Sequence, residues 1–148
     1  MTSNLLKAAA ILWVIWGLVH AFAGIVTIMA IGDPGAAVAG ITDAVDPELL
    51  KMDYHPAVGG ILGQHGFNLL WFGVVTTIGA FFIWRKSIIA IFVTAMVGGL
   101  ADTGYFLFLD LGEFVHFVPG TVMTLICASA ILLSFYVYYS DLRHSKEV

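Results

Sequence analysis

The sequence predicts an all-α integral membrane protein, a four-transmembrane-helix bundle with both termini cytoplasmic. Composition is the first observation behind this. Of 148 residues, 60% are hydrophobic and 11% charged, against roughly half and a quarter in a soluble domain. A single domain of this length has too little interior to hide so much apolar surface from water. The second observation is four apolar runs, at about 5–31, 59–84, 87–109 and 117–139, each reaching the roughly 20 residues that cross a bilayer. The third is that charge is sorted to opposite ends of these runs.

The first run, Leu5 to Ile31, follows Lys7 with an apolar stretch and Ala21-Phe22-Ala23, a pattern shared with secretory leaders. It continues far enough to span, so an uncleaved signal anchor is expected. Residues 32–58 form the long polar segment, an extracytoplasmic loop in which Asp33-Pro34-Gly35 and Asp46-Pro47 are turn or helix-start signals. Asp46-Pro47-Glu48 suits the start of a short interfacial helix through Met52. The length of this loop and its side of the bundle also suit a lid over a pocket. The second and third runs join at Arg85-Lys86, and the third and fourth at a turn around Asp110, Gly112 and Glu113. Pro119 fits the first turn of the fourth run, where a missing amide hydrogen costs nothing.

Lysine and arginine concentrate on the cytoplasmic side of short loops. Lys7, Arg85, Lys86, Arg143 and Lys146 fall together, and Lys51 falls on the other side. Asp33, Asp43, Asp46, Glu48, Asp53, Asp110 and Glu113 accompany Lys51, whereas Asp141 and Glu147 lie with the basic group. A plasma-membrane protein with its N and C termini in the cytoplasm follows. Trp84 and the tyrosines Tyr136, Tyr138 and Tyr139 sit where an inner aromatic belt belongs.

A net charge of −4 with six basic residues excludes nucleic acid as a partner, because that needs a clustered basic face. The one cysteine, Cys127, forms no internal disulfide and reads as a small packing residue.

Ionisable and amide side chains inside spans are expensive, and they face the bundle interior or a water-filled cavity. This chain carries Asp102, His20, His65, Gln64, Asn68 and Tyr105 there. At 1.5 Å per residue, His20 lies about 3 Å outward of the midpoint of its run, Asn68 and Asp102 about 5 Å, and His65 and Tyr105 about 10 Å. Glu113 and His116 stand at the outer mouth. The inner halves hold only Thr76, Thr77, Thr94 and Ser134, whose hydroxyls can bond back to their own helix. Polarity confined to one half indicates a pocket and not a pore.

Helical phase brings Gly98, Asp102, Tyr105 and Leu109 onto one stripe of the third run, and Trp13, Gly17, His20, Gly24 and Thr27 onto one stripe of the first. The second run places Gln64, His65 and Asn68 within an arc of about 100°. The fourth offers His116, Gly120, Thr124 and Cys127. Asp102 and His20 are then the candidate acid/base pair, with His65, Asn68, Gln64 and Tyr105 orienting a polar group. Glu113 and His116 would line the mouth, and Trp71 a flat aromatic wall.

The function read from these residues is an outward-opening polar pocket in the outer half of the bilayer. It would bind or transform an amphipathic lipid-phase ligand: a lipid, an isoprenoid or a quinone. Two further classes stand beside it. In a non-enzymatic accessory or oligomeric subunit, the small-residue faces would pack on a second copy or a partner membrane subunit, and the polar groups would be interhelical bonds. In a haem- or metal-binding redox subunit, His20 and His65 would be the haem ligands, or His20, His65, Asp102 and His116 would hold a non-haem metal. His20 and His65 differ in depth by about 7 Å, and no HxxxH or HxH spacing is present, so no metal site is assigned. No motif strong enough to name a family stands in the sequence.

Overall fold

The structure, a computed structural model, describes residues 2–142. It is all-helical, with no strand among the described residues. Four helices are long and apolar enough to cross a membrane: Asn4–Met29, Pro56–Trp84, Ile88–Asp110 and Phe117–Asp141. The elements in chain order are α1 (Thr2–Met29), α2 (Pro34–Ile41), a 3-10 turn (Pro47–Leu50), α3 (Pro56–Trp84), α4 (Ile88–Tyr105, continued by a π-helical turn Phe106–Asp110) and α5 (Val122–Val137). α5 is preceded by Phe117–Thr121 and followed by Tyr138–Leu142. Arg143, Lys146 and Glu147, part of the charge pattern, lie outside the described residues.

The helix starts are those that local chemistry favours. Asp33 accepts a hydrogen bond from the Ala36 amide at 3.1 Å and Asp46 one from the Glu48 amide at 2.9 Å, each followed by proline at the first helical position. Ser87 caps α4 through the Ala90 amide. Of the two signals in the loop at 32–58, Asp33-Pro34 starts the helix α2. Asp46-Pro47 starts a turn that stops at Leu50. Before α5 the backbone is extended at Val118 (φ −118°, ψ 121°) and helical again from Pro119.

Around the bundle α1 packs on α3 and α5, and α4 packs on α3 and α5, so α1 and α4 face each other across the centre. The α1–α3 seam is the tightest contact. Gly17 lies against Gly73 and Gly24 against Gly66, so that a Cβ on Gly24 would sit 2.5 Å from the Gly66 carbonyl oxygen. A Cβ on Gly73 would collide with the Gly17 carbonyl. The ladder continues from Ala10 and Ala80, both buried, to Gly59 beside the Ile31 carbonyl. Small residues every seven positions on both antiparallel helices let the backbones approach this closely.

Across the centre, bulk fills what the seam leaves. Trp13 and Trp16 are fully buried, and Trp13 abuts Gly98 of α4. Leu6, Ile83, Ile91, Cys127, Ala130 and Val137 complete the core toward the Lys7 end. Phe92 meets Phe135 and Tyr138 edge-on, each at 5.1 Å between ring centroids, so Tyr138 packs α4 to α5 instead of standing in a surface belt. Tyr136, Tyr139 and Trp84 remain exposed. Thr76 and Thr77 donate to the Phe72 and Gly73 carbonyls at 2.8 Å, which leaves this half of the bundle without free hydroxyls on α3.

Candidate functional site

At the α2 end the bundle opens into a cavity of about 640 Å³, within the range of small-molecule sites. α1 contributes His20, Ala23 and Thr27, α3 His65, Leu69 and Phe72, and α4 Gly104 and Tyr105. α2 covers it with Ala36, Ala37, Gly40 and Ile41, and the start of the fourth span adds Pro119 and Gly120. Its walls are mostly apolar, and its polar groups are His20, Thr27, His65, Tyr105 and, at the rim, Asp43. Phe22 and Phe108 also line it while being 68% and 75% exposed, so the cavity communicates with the flank of the bundle.

The lid is tethered. The Asp43 carboxylate accepts the His116 backbone N–H at 2.8 Å, and the Ala44 N–H donates to the Phe114 carbonyl at 3.2 Å. These bonds tie the chain after α2 to the turn between α4 and α5. The opposite wall is irregular: α4 passes into its π turn, and the chain kinks at Val118 before Pro119.

His20 lines the cavity and is the outermost of a connected set of three side chains that continues beneath it into Trp16 and Asp102. His20 Nδ1 lies 2.8 Å from the Trp16 carbonyl oxygen, which only accepts, so Nδ1 carries the hydrogen. Its ring stacks on the Trp16 indole with centroids 3.6 Å apart and planes at 19°. The indole Nε1–H in turn donates to Asp102 Oδ1 at 3.0 Å in the buried centre. Trp16 thus holds His20 in one tautomer and orientation, and Nε2 is left without a protein partner among the described residues. As the unprotonated ring nitrogen, Nε2 can accept a hydrogen bond. The Thr124 hydroxyl lies beside Asp102 but is buried without a hydrogen-bond partner.

The candidate residues singled out above divide accordingly. His20, His65 and Tyr105 are brought together in the cavity wall. Asp102 is close by but sealed beneath Trp16, only 6% exposed, and does not line the cavity. It is therefore not placed to exchange a proton directly with a ligand there. Gln64 is exposed, and Asn68 accepts a hydrogen bond from the Trp71 indole at 3.2 Å on the outer face of α3. Gln64, Asn68 and Trp71 are absent from the lining. Glu113 is exposed at the turn with φ 59°, and His116 is exposed and engaged through its backbone. Among the described residues no group of three or more His, Cys, Asp or Glu side chains is gathered as a metal would require.

Asp43, Thr27 and α2 are the cavity features that the candidate residues did not include. Thr27 was legible, one turn from Gly24 on the stripe that carries His20. Asp43 was not, since nothing in the sequence joins it to His116.

No protein-family model, curated protein or solved structure matches the chain.

Proposed function

We propose that the chain crosses the plasma membrane as four helices with both termini in the cytoplasm, and that the cavity at the α2 end binds an uncharged amphipathic molecule from the lipid phase. A lipid alcohol, an isoprenoid or a quinone has this chemistry. Its polar group would meet His20 Nε2, His65 and Tyr105, and its apolar body would lie along Ala23, Leu69, Phe72 and Met123 toward the open flank. The observation that carries this is the His20 nitrogen, without a partner among the described residues, in a cavity whose walls are mostly apolar. No lysine or arginine lines the cavity and one aspartate stands at its rim, which disfavours an anionic head group. Asp102 enters as a positioning residue, acting on His20 through Trp16.

Purification in a mild detergent followed by native mass spectrometry tests the site. A bound small molecule is expected in the wild type. His20→Leu, which removes one hydrogen bond of about 1–1.5 kcal/mol, should weaken its retention about tenfold. Gly104→Trp should abolish it: Gly104 lines the cavity and a Cβ there meets nothing within 4 Å, so the added ring occupies the ligand's space without disturbing the helices. Retention unchanged in Gly104→Trp would place the molecule elsewhere, and an empty wild type would leave an accessory or oligomeric subunit as the better account.

Orientation is tested separately by single cysteines in a Cys127→Ser background. A membrane-impermeant maleimide on intact cells should label Asp46→Cys and spare Lys86→Cys. The reverse pattern would invert the topology.

A further inference from the structure

We propose that the groove between α1 and α3 at the opposite end of the bundle holds one anionic phospholipid, with an acyl chain in the groove and the phosphate between Lys7 and Arg85. This rests on the same membrane reading, but on different residues from the cavity.

The groove has a volume of about 550 Å³ and is lined by Ile11, Val14 and Ile15 of α1 and Thr77, Phe81 and Trp84 of α3. Ala10 and Ala80, both buried, form its base. From Ile15 to Ala10 it runs about 8 Å along the helix axis, and Lys7 stands about one turn beyond, toward the end of the bundle. Thr77 offers no free donor, since its hydroxyl donates to the Gly73 carbonyl. The groove is therefore an apolar slot suited to hydrocarbon.

Two cations stand at its mouth, on the two aromatic rings that line it. Lys7 Nζ lies 5.4 Å from the centroid of the Trp84 ring, and Arg85 Cζ lies 4.4 Å from that of Phe81. Ring faces attract a cation without consuming its N–H donors. Both heads are thereby held at the groove with their hydrogen bonds unspent. Among the described residues the one ion pair is Lys51–Glu48, in the 32–58 segment, and no carboxylate is paired with Lys7 or Arg85.

An apolar slot ending in two cations that no carboxylate among the described residues pairs complements a phosphate ester on an acyl chain. A zwitterionic phospholipid would bring a further ammonium to the same place. A second copy of this chain, seated groove to groove, would set the same positive charges against each other.

The full chain is reconstituted in phosphatidylcholine vesicles with and without phosphatidylglycerol, extracted in mild detergent, and its retained lipid counted by native mass spectrometry. Phosphatidylglycerol is expected to be retained in preference to phosphatidylcholine. The double variant K7Q/R85Q should lower its retention about thirty-fold, roughly fivefold per cation, and leave phosphatidylcholine unchanged. Ile11→Trp, which fills the slot with both cations in place, should abolish retention, and Lys51→Gln should not affect it.

Equal retention of the two lipids by the wild type overturns the proposal without recourse to any variant. So does a preference that survives in K7Q/R85Q, or wild-type retention by Ile11→Trp, which would mean diffuse charge attraction outside the groove. Flotation with pure phosphatidylcholine vesicles reads membrane insertion by itself. A chain that does not float loses both readings, and one that floats without selecting phosphatidylglycerol loses this one alone.

Discussion

Gly73→Leu is expected to leave little folded protein. The Cβ alone meets the Gly17 carbonyl and the Ala21 backbone, and neither can rotate aside as a side chain would. Overpacking costs about 1–3 kcal/mol where side chains can yield. Here α1 and α3 must part along their length, so a loss above about 3 kcal/mol is expected, a large share of a marginal total. It should appear as a collapse in folded yield and a lowered thermal midpoint of helical circular dichroism in detergent. Gly60→Leu is the matched control: it lies on the same helix, but a Cβ there meets nothing within 4 Å. Equal melting of the two variants would show that the seam is not closely packed.

Trp16→Phe should be the other severe change. It removes the donor to Asp102 while preserving an aromatic ring beside His20. A buried carboxyl that loses its partner costs about 1–3 kcal/mol, with bonds between membrane helices toward the lower part of that range. Asp102→Asn should be nearly neutral, because an amide oxygen accepts the same indole hydrogen. Asp102→Leu should cost about as much as Trp16→Phe, since it strands the indole N–H. The double variant should cost less than the two together, as neither polar group then remains unpaired. Strict additivity in thermal unfolding would show that the bond carries no coupling. The same series separates stability from binding. Asp102→Leu should also loosen ligand retention, through the freed Trp16, at temperatures where the protein is still folded.

Much of the bundle was legible because a 20-residue apolar run is decided by composition alone. The four runs become four long helices. The seam was harder to see. Its signal is the seven-residue spacing of Gly59, Gly66, Gly73 and Ala80, which acquires meaning only when set against Ala10, Gly17 and Gly24 on an antiparallel partner. On α1 and α4 the inferred inward stripes hold, and on the fourth span the stripe holds from Gly120 onward while His116 is exposed. Trp13 and His20 face in, Gly98 meets Trp13, Asp102 meets Trp16, and Gly120 lines the cavity.

On α3 only His65 of the expected arc lines the cavity, and Gln64 and Asn68 stand to one side of it. His65, Leu69 and Phe72 form the cavity stripe, and Gln64, Asn68 and Trp71 form the one beside it. Both stripes contain polar and aromatic side chains at the same spacing. Only the glycine face, turned to α1, fixes which of them points inward. Asp102 illustrates a different gap. Its depth and phase could be counted, but its partner lies 86 residues away and is an indole, a side chain that reads as apolar bulk until its one N–H is placed.

The packed half of the molecule also sets a limit on the proposed ligand's route. Below Trp16 the centre is closed by Trp13, Thr76, Ile91 and Cys127, each at most 1% exposed. A molecule that reaches His20 must leave by the door it entered. Occupancy would then track supply in a single leaflet, and the protein would sample that leaflet without joining it to the other.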